Sequence, residues 1–114
     1  MKLKYIIITA IILYAFTYNK PKQCIATWYL RHGATTASGT KMHRDSMTAA
    51  YNDVAFGTRL QVTNMQTGDT VVVTVNDRME NKTAGRIDLS RAAFTQIADP
   101  RQGRIRVAVK RIAN

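Results

Sequence analysis

Acidic residues are scarce in this chain. Seven carboxylates stand against 17 lysines and arginines, for a formal net charge of +10 over 114 residues. Cysteine is scarcer still, with Cys24 alone. A single cysteine excludes a disulfide framework. The only histidines are His32 and His43, and no ligand spacing joins them to a carboxylate, so a metal site lacks its donors. Neither a metal nor an organic cofactor is expected. Long hydrophobic runs are also missing, with one exception near the N-terminus. The length allows one domain at most.

The exception is Tyr5 to Phe16, an apolar run behind the basic head Met1-Lys2-Leu3-Lys4. It is too short to span a bilayer comfortably, which takes about 20 residues. Polar residues follow from Asn19 to Gln23, then small residues at Cys24 and Ala26. This three-part order reads as a secretory signal, with an uncleaved N-terminal anchor as the alternative. Residues 1–26 are therefore assigned to a hydrophobic leader helix and residues 27–114 to the domain. The chain is expected in the periplasm, the cell envelope or outside the cell, touching a membrane only through that leader. The place of Cys24 raises lipid modification, although Pro21-Lys22-Gln23 before it is unlike a lipoprotein leader. The leader holds four lysines and no acid, so the remaining domain still carries +6. A basic exported domain suits an anionic polymer such as cell-wall glycan. Nucleic acid is not an expected partner, and a monomer is expected.

The rest of the chain reads as short strands. Ile25–Leu30 is rich in aromatic and β-branched types. Residues 31–40 form a loop, interrupted by Gly33 and Gly39. Thr48-Ala49-Ala50-Tyr51 is a short strand or a turn. Arg59–Asn64 alternates polar and apolar, as a half-buried strand does. Met65–Asp69 closes a hairpin onto Val71–Val75, a continuous apolar run. The polar Asn76-Asp77-Arg78 follows directly, where a rigid strand end can aim side chains into a cleft. Asp88 reads as the N-cap of a helix from Leu89 to about Ile97. Ile105–Ile112 alternates as a last strand. Many short strands and one helix in a small chain indicate a sandwich or a closed barrel.

Seven pieces occur in an order that resembles a known family. They are Ala26-Thr27-Trp28-Tyr29, Thr36-Ala37-Ser38-Gly39, Met47-Thr48-Ala49-Ala50, Phe56-Gly57-Thr58, Val62-Thr63-Asn64, Val75-Asn76-Asp77-Arg78 and Gly85-Arg86-Ile87-Asp88-Leu89-Ser90. The chain is similar in this respect to the rare lipoprotein A family, bacterial double-psi β-barrels that act on peptidoglycan and share their barrel with expansins. The resemblance implies an all-β fold, a small six-stranded double-psi β-barrel with one short helix and a groove across it. It also implies lytic cleavage of glycan strands, with a preference for strands stripped of peptide. Two positions depart from the family pattern. Thr40 stands where a Glu is common, and Tyr51 where a His is common.

Lytic cleavage uses the sugar's own 6-hydroxyl in place of water, so one carboxyl group can serve as acid and then as base. A hydrolase normally needs two carboxylates, about 5–5.5 Å apart if retaining and about 6.5–9.5 Å if inverting. Asp77 is the expected acid/base, with Asp88 as its like-charged neighbour, and both are assigned as catalytic residues. The acid must start protonated, which burial or a neighbouring carboxylate favours. Arg78 works against this if it folds back onto Asp77. Trp28, Tyr29, Thr40, Tyr51 and Arg78 are the expected substrate-binding residues, the aromatics by stacking on sugar rings. His43 sits in a loop that could replace the missing His. Three functions remain open: a peptidoglycan lytic transglycosylase, a non-catalytic expansin-like wall-binding or wall-loosening domain, and a secreted inhibitor. The lone cysteine argues against the last, because plant relatives of that kind usually carry disulfides.

Overall fold

The computed structural model describes residues 20–80 and 84–112, so most of the expected leader helix lies outside the described residues. Six strands appear in chain order: β1 (Lys22–Tyr29), β2 (Thr48–Ala50), β3 (Arg59–Asn64), β4 (Thr70–Asp77), β5 (Arg86–Ser90) and β6 (Ile105–Arg111). One helix, α1 (Arg91–Ile97), and a 3-10 turn at Pro100–Gln102 separate β5 from β6. The strands close into a barrel in the order β1-β5-β2-β4-β3-β6. Two neighbouring pairs, β1/β5 and β2/β4, are parallel, and the other four are antiparallel. The expected closed all-β barrel with one short helix is what forms.

Period-2 alternation fills the interior. Leu60 and Val62 of β3, Val71, Val73 and Val75 of β4, and Ile105, Val107 and Val109 of β6 point inward. Their neighbours on each strand face outward or lie half-buried, as the pleat requires. α1 packs against β4, β1 and β5. It presses Phe94 and Ile97 into the core, where both are almost wholly buried. Asn64 at the end of β3 is buried but satisfied. Its Nδ2 donates to the Ile97 carbonyl at 2.7 Å, and its Oδ1 accepts from the Gln66 N–H at 2.9 Å. One side chain thus shapes the β3/β4 turn and ties it to the C-terminus of α1. Gly68, at φ +82°, supplies the left-handed residue which that turn needs.

Three boundaries differ by more than one residue from those read in the sequence. β1 begins at Lys22 rather than Ile25, because residues 22–26 pair antiparallel with Val109 to Ile105 of β6. β4 continues through Asn76 and Asp77, which were expected just beyond it. Asp88 is not a helix cap. Pairing with β1 and β2 holds Arg86 to Ser90 extended, and Ser90 caps α1 by accepting the Ala93 N–H at 3.2 Å. Tertiary pairing overrides the local cap signal.

Cys24 lies inside this barrel. Its side chain is 4% exposed, with Sγ 3.9 Å from the Tyr51 hydroxyl. A lipid on that sulfur is incompatible with the closed barrel. Burial pushes the thiol pKa up, which leaves it less reactive than an exposed cysteine. Among the described residues no helix is long and apolar enough to cross a membrane.

Candidate functional site

A single rung of residues runs across four adjacent strands. Thr27 of β1 pairs with Asp88 of β5, Asp88 pairs with Ala50 of β2, and Ala50 pairs with Asp77 of β4. Ala50 is the small residue between the two carboxylates. Two strand spacings place the Cα atoms of Asp77 and Asp88 about 9–10 Å apart. Asp88 is set between the fully buried Ile87 and Leu89, so the pleat turns it outward.

Asp77 reaches the rung through a β-bulge. The β2/β4 register runs Ala49 to Val75 and then Ala50 to Asp77, which leaves Asn76 as the extra residue. Bulges of this kind re-aim a side chain, often beside a site. The loop at 35–41 docks on the bulge. The Asn76 carbonyl accepts the Ser38 N–H at 3.3 Å, and the Asn76 Nδ2 donates to Thr40 Oγ1 at 3.4 Å. Asp77 Oδ1 accepts two backbone N–H groups, from Ala37 at 2.8 Å and from Arg78 at 2.9 Å.

Both carboxylates line an open groove of about 580 Å³. Tyr29, Leu30, Arg31, Met42, the small Ala50, Arg78, Met79 and Glu80 line it with them. Arg78 does not fold onto Asp77. Its guanidinium lies 3.9 Å from the centre of the Phe56 ring, and Nη1 donates to the Tyr51 carbonyl at 2.8 Å. Tyr29 is anchored by a 2.7 Å bond between its hydroxyl and Thr48 Oγ1. Asn52 holds Met79 from both sides, accepting its N–H at 2.8 Å and donating to its carbonyl at 3.2 Å.

The pair is asymmetric in its surroundings. Burial raises the Asp88 carboxyl above the ordinary carboxylate range, and the nearby Asp77 charge adds to that. The hydroxyl of Thr27, donating to Asp88 Oδ1 at 2.9 Å, and the Arg86 charge oppose it without reversing it. Because the folded value exceeds the unfolded one, ionised Asp88 destabilises the fold above that raised value. The penalty is relieved as pH falls through it, and it is gone near the ordinary value of about 3.9. Asp88→Asn is therefore expected to melt higher than the parent chain at neutral pH. The difference should shrink towards pH 4. A thermal melt across pH that shows Asp88→Asn less stable at pH 7 contradicts this.

Three of the expected binding residues lie outside the groove. Tyr51 is 3% exposed, its ring is part of the core, and burial raises its hydroxyl pKa far above the usual value. It cannot stand in for a His facing substrate. Thr40 turns into its own loop, where its hydroxyl bonds to Thr36 Oγ1 at 2.8 Å and Ser38 Oγ at 3.0 Å. Trp28 packs against Phe94, with ring centroids 6.4 Å apart, and its Nε1 donates to the Pro100 carbonyl at 2.9 Å. Its free surface faces a neighbouring hollow. His43 stacks edge-on against His32 at 4.5 Å and lines no part of the groove. Thr27 and Glu80 were not legible as site residues. Thr27 becomes one only through parallel pairing, and Glu80 sits in what reads as a polar loop. Among the described residues no cluster of three or more His, Cys, Asp or Glu could hold a metal ion.

A six-stranded closed barrel with two parallel neighbouring pairs and a groove over its β1-β5-β2-β4 face defines a double-psi β-barrel. The profile of the lytic transglycolase family matches residues 22–109, and the chain belongs to that family. It is 46% identical over 80 residues to the Synechocystis protein ssl3177, covering 70% of this chain and 84% of the relative. A probable endolytic peptidoglycan transglycosylase RlpA of Synechocystis is 44% identical over 86 residues, covering 73% of this chain. The match spans about a quarter of that longer relative, 26%. An Asp-to-Asn variant of the Clavibacter michiganensis expansin, solved in complex with cellohexaose, superposes with a TM-score of 0.67 at 29% identity. That likeness covers 82% of this chain and 50% of the expansin.

Proposed function

We propose that this domain cleaves peptidoglycan glycan strands by the lytic route in the cell envelope, with Asp88 as acid and base. The observation that carries the reading is the Asp88–Ala50–Asp77 rung, whose three residues line one open groove. The sequence alone favoured Asp77 for the acid. The surroundings favour Asp88, which burial and the neighbouring charge keep protonated to higher pH. Asp77 is occupied in holding the 35–41 loop through its two backbone bonds.

In this mechanism the Asp88 proton passes to the glycosidic oxygen as the bond from that oxygen to the anomeric carbon breaks. The 6-hydroxyl of the same sugar then bonds to the anomeric carbon and returns its proton to Asp88. No water is consumed, and the product ends in an anhydro ring. Asp77, on the far side of Ala50, faces the positive charge that develops on the sugar ring. Tyr29 and Arg78 bind the strand along the groove wall.

The test is incubation of the purified chain with denuded glycan strands and analysis of the ends released. Anhydro-sugar ends lost in Asp88→Asn support the enzyme. A second reading is favoured by Thr40, which leaves the 35–41 loop without a carboxylate, and by the likeness to an expansin. There the same groove grips glycan and loosens its packing without cutting. Binding with no new ends supports that reading instead.

The leader remains a proposed signal or anchor. Cleavage after Ala26 would cut away the half of β1 that pairs with β6. We therefore expect exported material to begin at or before Lys22. N-terminal sequencing checks this, and a start at Thr27 in a folded product contradicts it.

A further inference from the structure

The side of the barrel away from the groove is basic. The strand order puts β3 and β6 across the barrel from β5 and β2, which bear Asp88 and Ala50. Neither β3 nor β6 contains a carboxylate. Leu60, Val62, Val107 and Val109 fill the interior, so the pleat turns Arg59 and Gln61 of β3, and Arg106 and Lys110 of β6, outward. Lys110 pairs with Gln61, which makes Arg59 its diagonal neighbour on the same face, about 7–8 Å away. Gln61 also pairs with Val72 of β4, so one outward row runs Val72–Gln61–Lys110, and Val72 is 38% exposed. At the far end of these strands, Arg104 and Arg106 line a hollow of about 400 Å³ with Met65, which is 45% exposed. The Met65 N–H donates to the Arg106 carbonyl at 3.1 Å, which holds that turn against β6.

Among the described residues no ion pair takes up Arg59, Arg104, Arg106 or Lys110. Asp99 is held by the guanidinium of Arg101, and Asp69, in the β3/β4 turn, lines no part of the hollow. Unpaired cations with exposed apolar side chains among them match a layer of negative headgroups over hydrocarbon. The course of the chain points the same way. Lys22 opens β1 opposite Val109, so the segment that carries the apolar run Tyr5 to Phe16 joins the barrel beside Lys110. We propose that the β3-β6 face docks on an anionic phospholipid surface. Arg59, Arg104, Arg106 and Lys110 meet the phosphate groups, and Val72 and Met65 settle at the boundary with the acyl chains. The groove, on the opposite side, then faces away from the membrane. Only this last consequence depends on the groove taking a glycan strand, because the docking itself needs no cleavage.

The test is co-sedimentation of the full chain with two kinds of vesicle, phosphatidylcholine alone and equal parts of phosphatidylglycerol and phosphatidylcholine. The apolar leader contributes to both, so the readout is the ratio of the two affinities. We expect the parent chain to prefer the anionic vesicles, with the preference fading as salt rises. The face variant is Arg59→Gln with Arg106→Gln and Lys110→Gln. It should lower the ratio about 100-fold, at about fivefold for each cation near such a surface. A control variant, Lys41→Gln with Arg44→Gln and Arg91→Gln, removes equal charge off this face and should keep most of the ratio. Arg59→Lys with Arg106→Lys keeps the charge and should keep the binding. Equal affinity of the parent chain for both vesicles overturns the proposal. So does a ratio that the face variant lowers no more than the control. A face variant that loses soluble poly(glycerol phosphate) but not vesicles assigns the face to a wall polymer and also overturns it. Vesicle binding is read without any glycan, so its failure is distinct from a failure to release anhydro ends.

Discussion

Asp88→Asn is expected to slow the release of anhydro-sugar ends by about 10²–10⁴-fold, the usual contribution of a positioned acid and base. The substitution keeps the size of the side chain and an oxygen able to accept from Thr27, so the rung is preserved. What it removes is the proton. Binding of denuded strands should survive, and only the cut should fail. Asp77→Asn removes a charge and not the proton donor, so its effect on the rate should be smaller. The pH profile follows from the same asymmetry. Cleavage should decline as pH rises through the elevated Asp88 value, since the acid form is consumed. Quantifying anhydro ends for both variants decides the assignment. A larger loss in Asp77→Asn returns the acid to Asp77, and two fully active variants remove the site from the rung.

Phe94→Ala is expected to destabilise the domain by about 3–5 kcal/mol, the usual range for losing a buried Phe. Phe94 is 0% exposed and is the largest of the fully buried side chains. It joins α1 to the barrel and supports Trp28 from behind. A domain of this size holds a total stability of about 5–13 kcal/mol. The loss is therefore a large share of the whole. At about 4–8 °C per kcal/mol for 60–100 residues, the melting temperature should drop by at least about 12 °C. A circular dichroism melt reads this directly, and a drop under about 4 °C would mean that α1 is peripheral to the barrel.

The strands that run antiparallel with one face inward were legible. Arg59–Asn64 forms over the span read from its alternation, and Ile105–Arg111 departs by a single residue. Parallel pairing was not legible, since nothing local in Arg86–Ser90 announces β1 as its partner. The same stretch, Asp-Leu-Ser before an apolar helix face, offers two residues able to cap a helix. The sequence favours Asp88, while the pairing frees only Ser90 for that task. Asn76 shows the same limit from another side. Its run of polar neighbours marks a strand end, but the extra residue that rotates Asp77 to the rung depends on β2. Tyr51 and Trp28 carry both an apolar body and a polar tip, so composition cannot say which of them meets solvent. The fold came from many weak signals in order. The two carboxylates came from the same order, and the division of labour proposed for them rests on the burial of Asp88 and on the two backbone bonds that Asp77 accepts.

β1 is clamped between β5 and β6, the last two strands of the chain. β1 must therefore wait for Ile105 to Arg111 before its second side is satisfied. Closure of the barrel therefore waits on β6, which supplies two of the six strand pairings, with β1 and with β3. Topology of this kind sets a slow folding clock relative to a helical bundle of equal length. Until β6 arrives, β1 and β3 each keep one unpaired side, and the barrel stays an open sheet.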